Sequence, residues 1–325
     1  MSEIEFSRLR RHPERSRFHA RALGMTPSSK LVQLSGSGRN ETGMNRSAER
    51  ALNIGQRLRR IEGRHNHLLK ELRQAFARAE RTEDGECAIE GVRIVEEAIR
   101  SGLRFQAIFF RESAQNLADR LLPQIGAHVE TLLLPDKLFD GTVPSETPQG
   151  VAALVRLKTF SVEDVLERLQ VGPIVAVVGL QDPGNLGTIL RSAEAFGSAG
   201  VVLGEGTVSP FNSKVIRASA GSLFRLPLVS SKALAGLEAI LPKFRTHNVR
   251  LIATSSHKGT PLDQANLTQP CAIFIGSEGS GLPKTLMAQV DELVAIPHTV
   301  QVESLNAGVA GSIVLYEAAR QRRQE

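Results

Sequence analysis

Two short apolar strands near the end of the chain each run directly into an irregular loop, and this arrangement constrains the fold most strongly. The strands are predicted at Ala272–Ile275 and Leu293–Ile296. The loop at residues 276–281 holds three glycines, which allow a backbone to turn sharply and to approach a ligand closely. Pro297 stops the second strand, and Ser304 then suits the N-cap of a helix. Open α/β folds bind their ligands where strands end in such loops.

A third segment upstream has the same character. Residues 175–197 predict a buried strand, a loop that contains Pro183 and Gly184, and a helix that carries Arg191. Asn185 is placed to cap that helix. Further strands are predicted at 200–203 and 250–254, with a helix over Gly236–Asn248 between them. Strands that alternate with helices in this way predict a doubly wound, largely parallel sheet of five or six strands.

A smaller α/β unit is predicted ahead of this sheet. Asn53–Arg81 has a helical pattern of apolar residues, and Thr159–Leu169 reads as a linker helix. The domain organisation is therefore a basic extension at 1–52, a small α/β domain at 53–157, a linker at 158–171 and a larger domain at 172–325. The elements predicted within the small domain are strands at Glu86–Ile89, Ala107–Phe110, Val129–Leu134 and Val151–Leu157, and helices at Glu90–Ser101 and Ala114–Leu122.

The positive charge of the chain is concentrated at its beginning. The net charge is +6, and residues 1–81 hold 18 Lys and Arg against 8 Asp and Glu. A basic arm ahead of a near-neutral body suggests contact with a polyanion, although a solvated tail has the same composition. The chain has no Trp and one Tyr, so phosphate contacts are favoured over base stacking.

Several classes of protein are disfavoured by missing patterns. No apolar run reaches the length of a membrane span and the N-terminus shows no apolar signal region, so we expect a cytoplasmic protein without membrane contact. Two cysteines far apart predict neither a disulfide framework nor a metal site, and Cys271 reads as a small buried hydrophobe. A dinucleotide-binding oxidoreductase would need G-x-G-x-x-G after its first strand, and a P-loop NTPase would need GK[ST]; neither pattern is present.

The three motifs, in this order, closely resemble the signature motifs of the SpoU (TrmH-type) RNA ribose 2′-O-methyltransferases of the SPOUT superfamily. The resemblance covers about residues 172–325, and the stretches CAIEGVRIVEEAI and SETPQGVAAL also resemble the substrate-binding domain that precedes many of these enzymes. It implies an S-adenosylmethionine-dependent enzyme that methylates a ribose 2′-hydroxyl in structured RNA. The added α/β domain and the basic arm favour ribosomal RNA. Two alternatives stay open: a tRNA 2′-O-methyltransferase, and a non-catalytic RNA-binding or ribosome-assembly protein on the same fold. The matching residues are Asn185 and Arg191, then Gly276, Glu278 and Gly279, then Pro297, Ser304, Leu305 and Asn306.

The resemblance also implies roles for individual residues. Arg191 is the expected catalytic residue, and a guanidinium, with a pKa above about 12, suits phosphate clamping and stabilisation of a developing alkoxide better than proton abstraction. The residues expected to assist it are Asn185, Glu278, Ser304 and Asn306. The residues expected to bind the cofactor are Thr254, Gly276, Glu278, Gly279, Ile296, Pro297 and Leu305, with Ile296 and Leu305 on either side of the adenine.

Two larger features follow from the same resemblance. The C-terminal segment is expected to form a deep trefoil knot that shapes the cofactor pocket. Catalytic domains are expected to pair as homodimers, with Ile313, Val314 and Tyr316 on the last helix as the candidate surface. The third motif departs from the family where Ala307 and Gly308 replace a bulkier residue, which affects the shape of the pocket.

Overall fold

The computed structural model describes residues 57–230, 236–277, 279, 281–299 and 301–323. These residues belong to one compact unit that contains two β-sheets. The predicted extension at 1–52 and the predicted site residue Glu278 lie outside the described residues.

The first sheet has five strands in the order β1-β4-β3-β5-β2. β1, β4 and β3 run parallel, whereas β5 pairs antiparallel with both β3 and β2. Alternate side chains of a strand face opposite sides of a sheet, and here each side is covered. Phe109 packs with the helices α1 and α4, while Ile108 and Phe110 pack with α2 and α3. The strands are β1 (Leu58–Arg60), β2 (Glu86–Glu90), β3 (Arg104–Arg111), β4 (Glu130–Leu134) and β5 (Val151–Arg156), and the helices are α1 (His67–Arg78), α2 (Val92–Arg100), α3 (Gln115–Leu121) and α4 (Asp136–Asp140).

The predicted helix over Asn53–Arg81 is wrong in its first half. Leu58–Arg60 forms an edge strand that pairs with Thr131–Leu133, and the helix begins only after Asn66, whose side chain accepts a hydrogen bond from the backbone of Leu69 (3.2 Å). Three residues with one apolar side chain fit the periodicity of a helix as well as that of a strand. Only pairing with the neighbouring strand decides which of the two forms.

The second sheet has seven strands, all parallel, in the order β10-β12-β9-β11-β6-β7-β8. The prediction of a doubly wound, mostly parallel sheet is confirmed, with more strands than the five or six expected. The knot stays a prediction. The strands are β6 (Ile174–Val177), β7 (Gly200–Leu203), β8 (Leu228–Ser230), β9 (Arg250–Ser255), β10 (Thr260–Pro261), β11 (Cys271–Ile275) and β12 (Glu292–Ala295).

Helices cover both faces of this sheet. Val175 and Val177 of β6 belong to the core that α6, α7 and α10 share, whereas Ile174 and Ala176 pack with α5, α8 and α9 on the other side. Every strand residue of β6 is therefore buried, as expected in a sheet with two helical layers. The helices are α5 (Val162–Leu166), α6 (Pro183–Ala195), α7 (Ser213–Ala218), α8 (Leu241–Thr246), α9 (Lys284–Met287) and α10 (Ala307–Arg322).

Two predicted helices are shorter than expected. The linker helix at Thr159–Leu169 is reduced to α5, whose N-cap is Ser161. The helix at Gly236–Asn248 is divided into a 3₁₀ turn at Leu237–Ala239 and α8, because Pro242 near the start of α8 has no N–H group to continue a preceding turn.

Both cysteines are buried and form no disulfide. Burial raises the pKa of Cys87 to about 12, and burial also raises the pKa of Cys271. Neither thiol is therefore a reactive nucleophile at neutral pH, and Cys271 packs as the small buried hydrophobe expected from the sequence.

Candidate active site

Three neighbouring strands, β12, β9 and β11, end beside a cavity of about 320 Å³. This volume lies within the usual range of small-molecule sites. One part of the lining is apolar: Ile275, Leu282, Met287, Val294, Ile296, Leu305, Ala307 and Ala310. The rest presents hydroxyl, imidazole and backbone groups: Thr254, Ser255, Ser256, Gly276, Ser277, Gly281, His298 and Ser304.

Five of the residues predicted from the sequence meet in this lining. They are Thr254, Gly276, Ile296, Ser304 and Leu305, and they come from three separate segments of the chain. The parallel register explains the meeting, because the ends of adjacent parallel strands share one edge of the sheet. The predicted Gly279 and Pro297 lie in the same loops but do not line the cavity.

The glycine-rich loop after β11 closes on itself. The backbone N–H of Ser277 donates to the carbonyl of Gly281 (3.2 Å), and the N–H of Gly281 donates back to the carbonyl of Ser277 (3.0 Å). Gly276 stands at the base of this turn, where an added Cβ would lie 2.5 Å from the carbonyl carbon of Gly281. The absence of a side chain at this position therefore lets the turn fold tightly against the end of β11.

The loop after β12 is held by an imidazole. His298 lies with its Nδ1 2.6 Å from the carbonyl oxygen of Ile296 and its Nε2 3.1 Å from that of Val302. The ring therefore spans the two sides of the loop that leads to Ser304. His298 lines the cavity and was not predicted as a site residue; its position directly after Pro297 was the available signal.

The predicted caps of two helices need correction. Asp182, not Asn185, caps α6, since its carboxylate accepts a hydrogen bond from the backbone N–H of Asn185 (2.7 Å). Asn306, not Ser304, caps α10, and its side chain accepts from the N–H of Val309 (3.1 Å). The Asp-Pro pair was the signal for the first cap, because proline is favoured at the first helical position.

Asn185 is buried inside α6, beside the beginning of α10. A Cβ on Gly308 would lie 3.1 Å from Oδ1 of Asn185 and 3.2 Å from Oδ1 of Asn306. The two predicted asparagines are thus brought together around one backbone position. Gly308 allows this close approach, because a side chain there would press against both amide oxygens.

Arg191 stands apart from the cavity. It is exposed on α6 and does not line the cavity. Within the described part of the chain its side chain forms no hydrogen bond or ion pair, so the guanidinium is available to a ligand. The same helix packs on α10, where the hydroxyls of Ser192 and Ser312 lie 2.7 Å apart.

The lining of the cavity fits S-adenosylmethionine. Apolar side chains such as Ile296 and Leu305 match a flat adenine ring, while Thr254 and the backbone of two loops offer polar groups for its edge and for the ribose. The tight turn at Gly276 leaves backbone, not side chain, at the wall, which permits close approach by a ligand.

Comparison with known proteins identifies the family. The sequence profile of the SpoU rRNA Methylase family matches residues 172–316, and that of the MRM3-like substrate binding domain matches residues 66–153. The chain belongs to the SpoU rRNA Methylase family. An uncharacterized tRNA/rRNA methyltransferase of Synechocystis is 35% identical over 81% of this SpoU methylase and 94% of the relative.

Two further comparisons concern named enzymes. The 23S rRNA (guanosine(2553)-2′-O)-methyltransferase of Bacillus subtilis is 30% identical, over 80% of this chain and 98% of its own. The crystal structure of an AdoMet-bound rRNA methyltransferase from Sinorhizobium meliloti has a TM-score of 0.67 at 25% identity, and covers 81% of this chain and 98% of its own.

These findings confirm four predictions: the family, the fold class apart from the knot, methyltransferase activity, and S-adenosylmethionine as the cofactor. No described helix is long and apolar enough to cross a membrane. In the described segments, His, Cys, Asp and Glu side chains do not gather into a cluster able to hold a metal ion.

Proposed function

We propose that this SpoU methylase transfers a methyl group from S-adenosylmethionine to a ribose 2′-hydroxyl of ribosomal RNA. The observation that carries the proposal is the meeting of Thr254, Gly276, Ile296 and Leu305 around one cavity. The helix beside it presents Arg191, whose side chain forms no ion pair with any residue that the structure describes. The similarity to a Bacillus 23S rRNA 2′-O-methyltransferase over most of both chains supports the substrate. A ribosomal substrate also supports the cytoplasmic location expected from the sequence.

The residues of the cavity hold and orient the cofactor. S-adenosylmethionine supplies an electrophilic methyl group. Ile296 and Leu305 would hold its adenine, and the backbone at Gly276 together with Thr254 would provide polar contacts. Gly279 and Pro297, expected from the sequence to bind the cofactor, do not line the cavity, and only the shape of the loop at Pro297 enters this proposal. Glu278 keeps its predicted role as a polar partner.

Arg191 acts on the RNA and not on the cofactor. Its guanidinium holds a phosphate next to the target ribose and stabilises the negative charge that develops on the 2′-oxygen. It does not remove the proton, because a guanidinium stays protonated in water. The 2′-hydroxyl proton would pass to solvent water as the oxygen–methyl bond forms and the methyl–sulfur bond breaks. Ser304, Asn185 and Asn306 position the third loop and the ribose, and the shared space beside Gly308 is how the two asparagines act together.

The substrate-binding role falls to the domain at 53–157, ahead of the linker at 158–171 and the catalytic domain at 172–325. Its similarity to a substrate-binding domain supports this assignment. The basic extension at 1–52 adds non-specific phosphate contacts. A tRNA substrate is the alternative.

A homodimer completes the site. The exposed side of α10 carries Val309, Ile313 and Tyr316, which are 48, 37 and 52% exposed, and Phe196 packs edge-on against Tyr316 with ring centroids 5.7 Å apart. Such an apolar surface on one helix is typical of an interface. Val314, also expected on this surface, is fully buried and takes no part. The family resemblance implies that each active site in such a pair borrows residues from the partner, and that the expected knot shapes the cavity.

The variant Arg191→Ala tests the proposal. We expect kcat for methylation of unmodified ribosomal RNA to fall by about 10²–10³-fold, as for the loss of one donor to a developing oxyanion. Affinity for S-adenosylmethionine should stay unchanged, since Arg191 does not line the cavity. Transfer of a tritiated methyl group to RNA measures kcat, and calorimetric titration measures cofactor affinity. The variant Arg191→Lys keeps the positive charge but removes the planar, two-pronged guanidinium, and so separates the two contributions. Normal turnover in the alanine variant would contradict the role of Arg191.

A further inference from the structure

A second cavity, of about 540 Å³, opens between the two sheets. We call it the intersheet cleft. Its walls come from the start of α2, from the loop before β5 and from α7 of the catalytic sheet. The lining residues are Glu90, Gly91, Arg93, Ile94, Pro144, Ser145, Glu146, Thr147, Gln149, Lys214 and Arg217.

Three cationic side chains border the intersheet cleft. Arg93, Lys214 and Arg217 are all exposed. Within the described residues, the side chains of Arg93 and Lys214 form no ion pair, whereas Arg217 donates to Oγ of Ser145 (3.3 Å) and lies 3.9 Å from Glu90. Most exposed arginines elsewhere that contact a carboxylate do so within 3.2 Å, so the positive charge of this cleft is under-compensated.

The carboxylates of the intersheet cleft oppose an anion only weakly. Glu90 is buried and accepts a hydrogen bond from the hydroxyl of Ser145 (2.8 Å). Burial raises the pKa of Glu90, so its charged form is disfavoured. Glu146 is the other acidic residue of the lining and is exposed to solvent.

The walls of the intersheet cleft are held in a fixed relation. Arg225, which follows α7, donates to the carboxylate of Glu194 on α6 (3.0 Å), to Glu97 on α2 (3.1 Å) and to the hydroxyl of Ser101 (2.9 Å). The guanidinium of Arg81 lies 5.0 Å from the ring centroid of Phe211, across the same boundary. The cleft is therefore formed before any ligand binds, which lowers the entropic cost of binding.

The intersheet cleft lies next to the helix of Arg191. A Cβ on Gly187 would lie 2.3 Å from Cβ of Ala218, the residue after Arg217. Arg191 is one helical turn beyond Gly187, about 6 Å along the axis. Arg217 and Arg191 therefore stand on two helices in direct contact, and one strand of RNA could contact both through its phosphates.

We infer that the intersheet cleft binds the phosphodiester backbone of the substrate RNA, with Arg93, Lys214 and Arg217 as the phosphate contacts that position the target nucleotide. The inference rests on the proposed function and adds to it a path for the RNA between the two sheets. Contacts of this kind set register and orientation and carry no base specificity.

The test is the double variant Arg93→Gln/Lys214→Gln, with Lys137→Gln as its matched control. Lys137 on α4 is likewise exposed and forms no ion pair within the described residues. Binding of unmodified ribosomal RNA, transcribed in vitro, is measured by filter binding at about 50 to 300 mM salt. Calorimetric titration with S-adenosylmethionine and thermal melting are measured on the same variants.

In the double variant we expect about tenfold weaker binding of RNA, and a slope of log affinity against log salt that is shallower by about 1.4–1.8. Cofactor affinity, melting temperature and the control should match the wild type. The inference would be overturned if the double variant kept the RNA affinity and salt slope of the wild type, or if Lys137→Gln lost as much RNA affinity as the double variant. Either result leaves methylation by the wild type, and with it the proposed function, unaffected. A wild-type protein that does not methylate RNA would overturn the proposed function itself.

Discussion

Replacing Gly276 by alanine should damage the cofactor site without unfolding the protein. The added Cβ would lie 2.5 Å from the carbonyl carbon of Gly281, and 2.8 Å both from its oxygen and from the N of Leu282. All three atoms belong to the backbone, so no side chain can rotate away. The turn that closes between Ser277 and Gly281 must shift instead, and it forms part of the cavity wall.

The size of the effect follows from the cost of overpacking. Forcing one methyl group into a closely packed site costs about 1–3 kcal/mol. The binding of S-adenosylmethionine needs the closed turn, so the same free energy is lost from binding. At about 1.4 kcal/mol per factor of ten, the affinity for the cofactor falls by about 5- to 150-fold. Calorimetric titration measures this loss directly.

Gly279→Ala provides the matched control. Gly279 lies in the same turn, yet no atom of the described residues lies within 4 Å of its added Cβ. We expect its affinity for S-adenosylmethionine to stay within about twofold of the wild type. Equal affinity in Gly276→Ala and the wild type would refute the argument that the tight turn shapes the pocket.

Three further predictions concern charge and assembly. Burial alone would raise the pKa of Glu194, but hydrogen bonds from Arg225 and Ser222 outweigh burial and lower the pKa below 4.5. The ion pair between Glu194 and Arg225 therefore stabilises the fold above pH 4.5, and this stabilisation is lost as the pH falls further. Arg225→Gln should lower the free energy of unfolding, measured by urea denaturation, by about 1 kcal/mol at pH 7 and by less at pH 3. An equal loss at both pH values would argue against a stabilising ion pair. The pKa of Glu90 is raised by burial, so Glu90→Gln should gain stability over the wild type at pH 8 but not at pH 4. Tyr316→Asp should shift a dimer to monomers in light scattering, and a monomeric wild type would contradict the proposed interface.

Prediction from sequence succeeded where the local pattern of residues favours one secondary structure or one kind of loop. Short apolar runs rich in β-branched residues, such as Ile174–Val177, favour strands between two helical layers, and the glycine loop after β11 marked the ligand edge. It failed where the same local pattern is compatible with two secondary structures. Leu58–Arg60 fits a helix or a strand, and the pairing partner at Thr131–Leu133, more than seventy residues away, decided the matter.

The same limit applies to the site. Sequence named Asn185 and Ser304 as caps because both residue types favour that position, yet Asp182 and Asn306 hold the caps. Several residues could satisfy the same free N–H groups, and only the path of the chain selects one. The position of His298 directly after Pro297 did not reveal its role. Only the structure shows that its two ring nitrogens lie beside carbonyl oxygens on both sides of one loop.

The sequence by itself determined the family, the parallel sheet and the segments that carry the chemistry, because each depends on residue types at fixed local spacing. Tertiary structure alone decided which side chains share a space: that Arg191 stands outside the cavity, that Gly308 brings two asparagines together, and that Arg93 and Lys214 border one cleft. These relations join residues far apart in the chain, and their distances are set by how strands register and how closely helices pack, which local propensity does not encode.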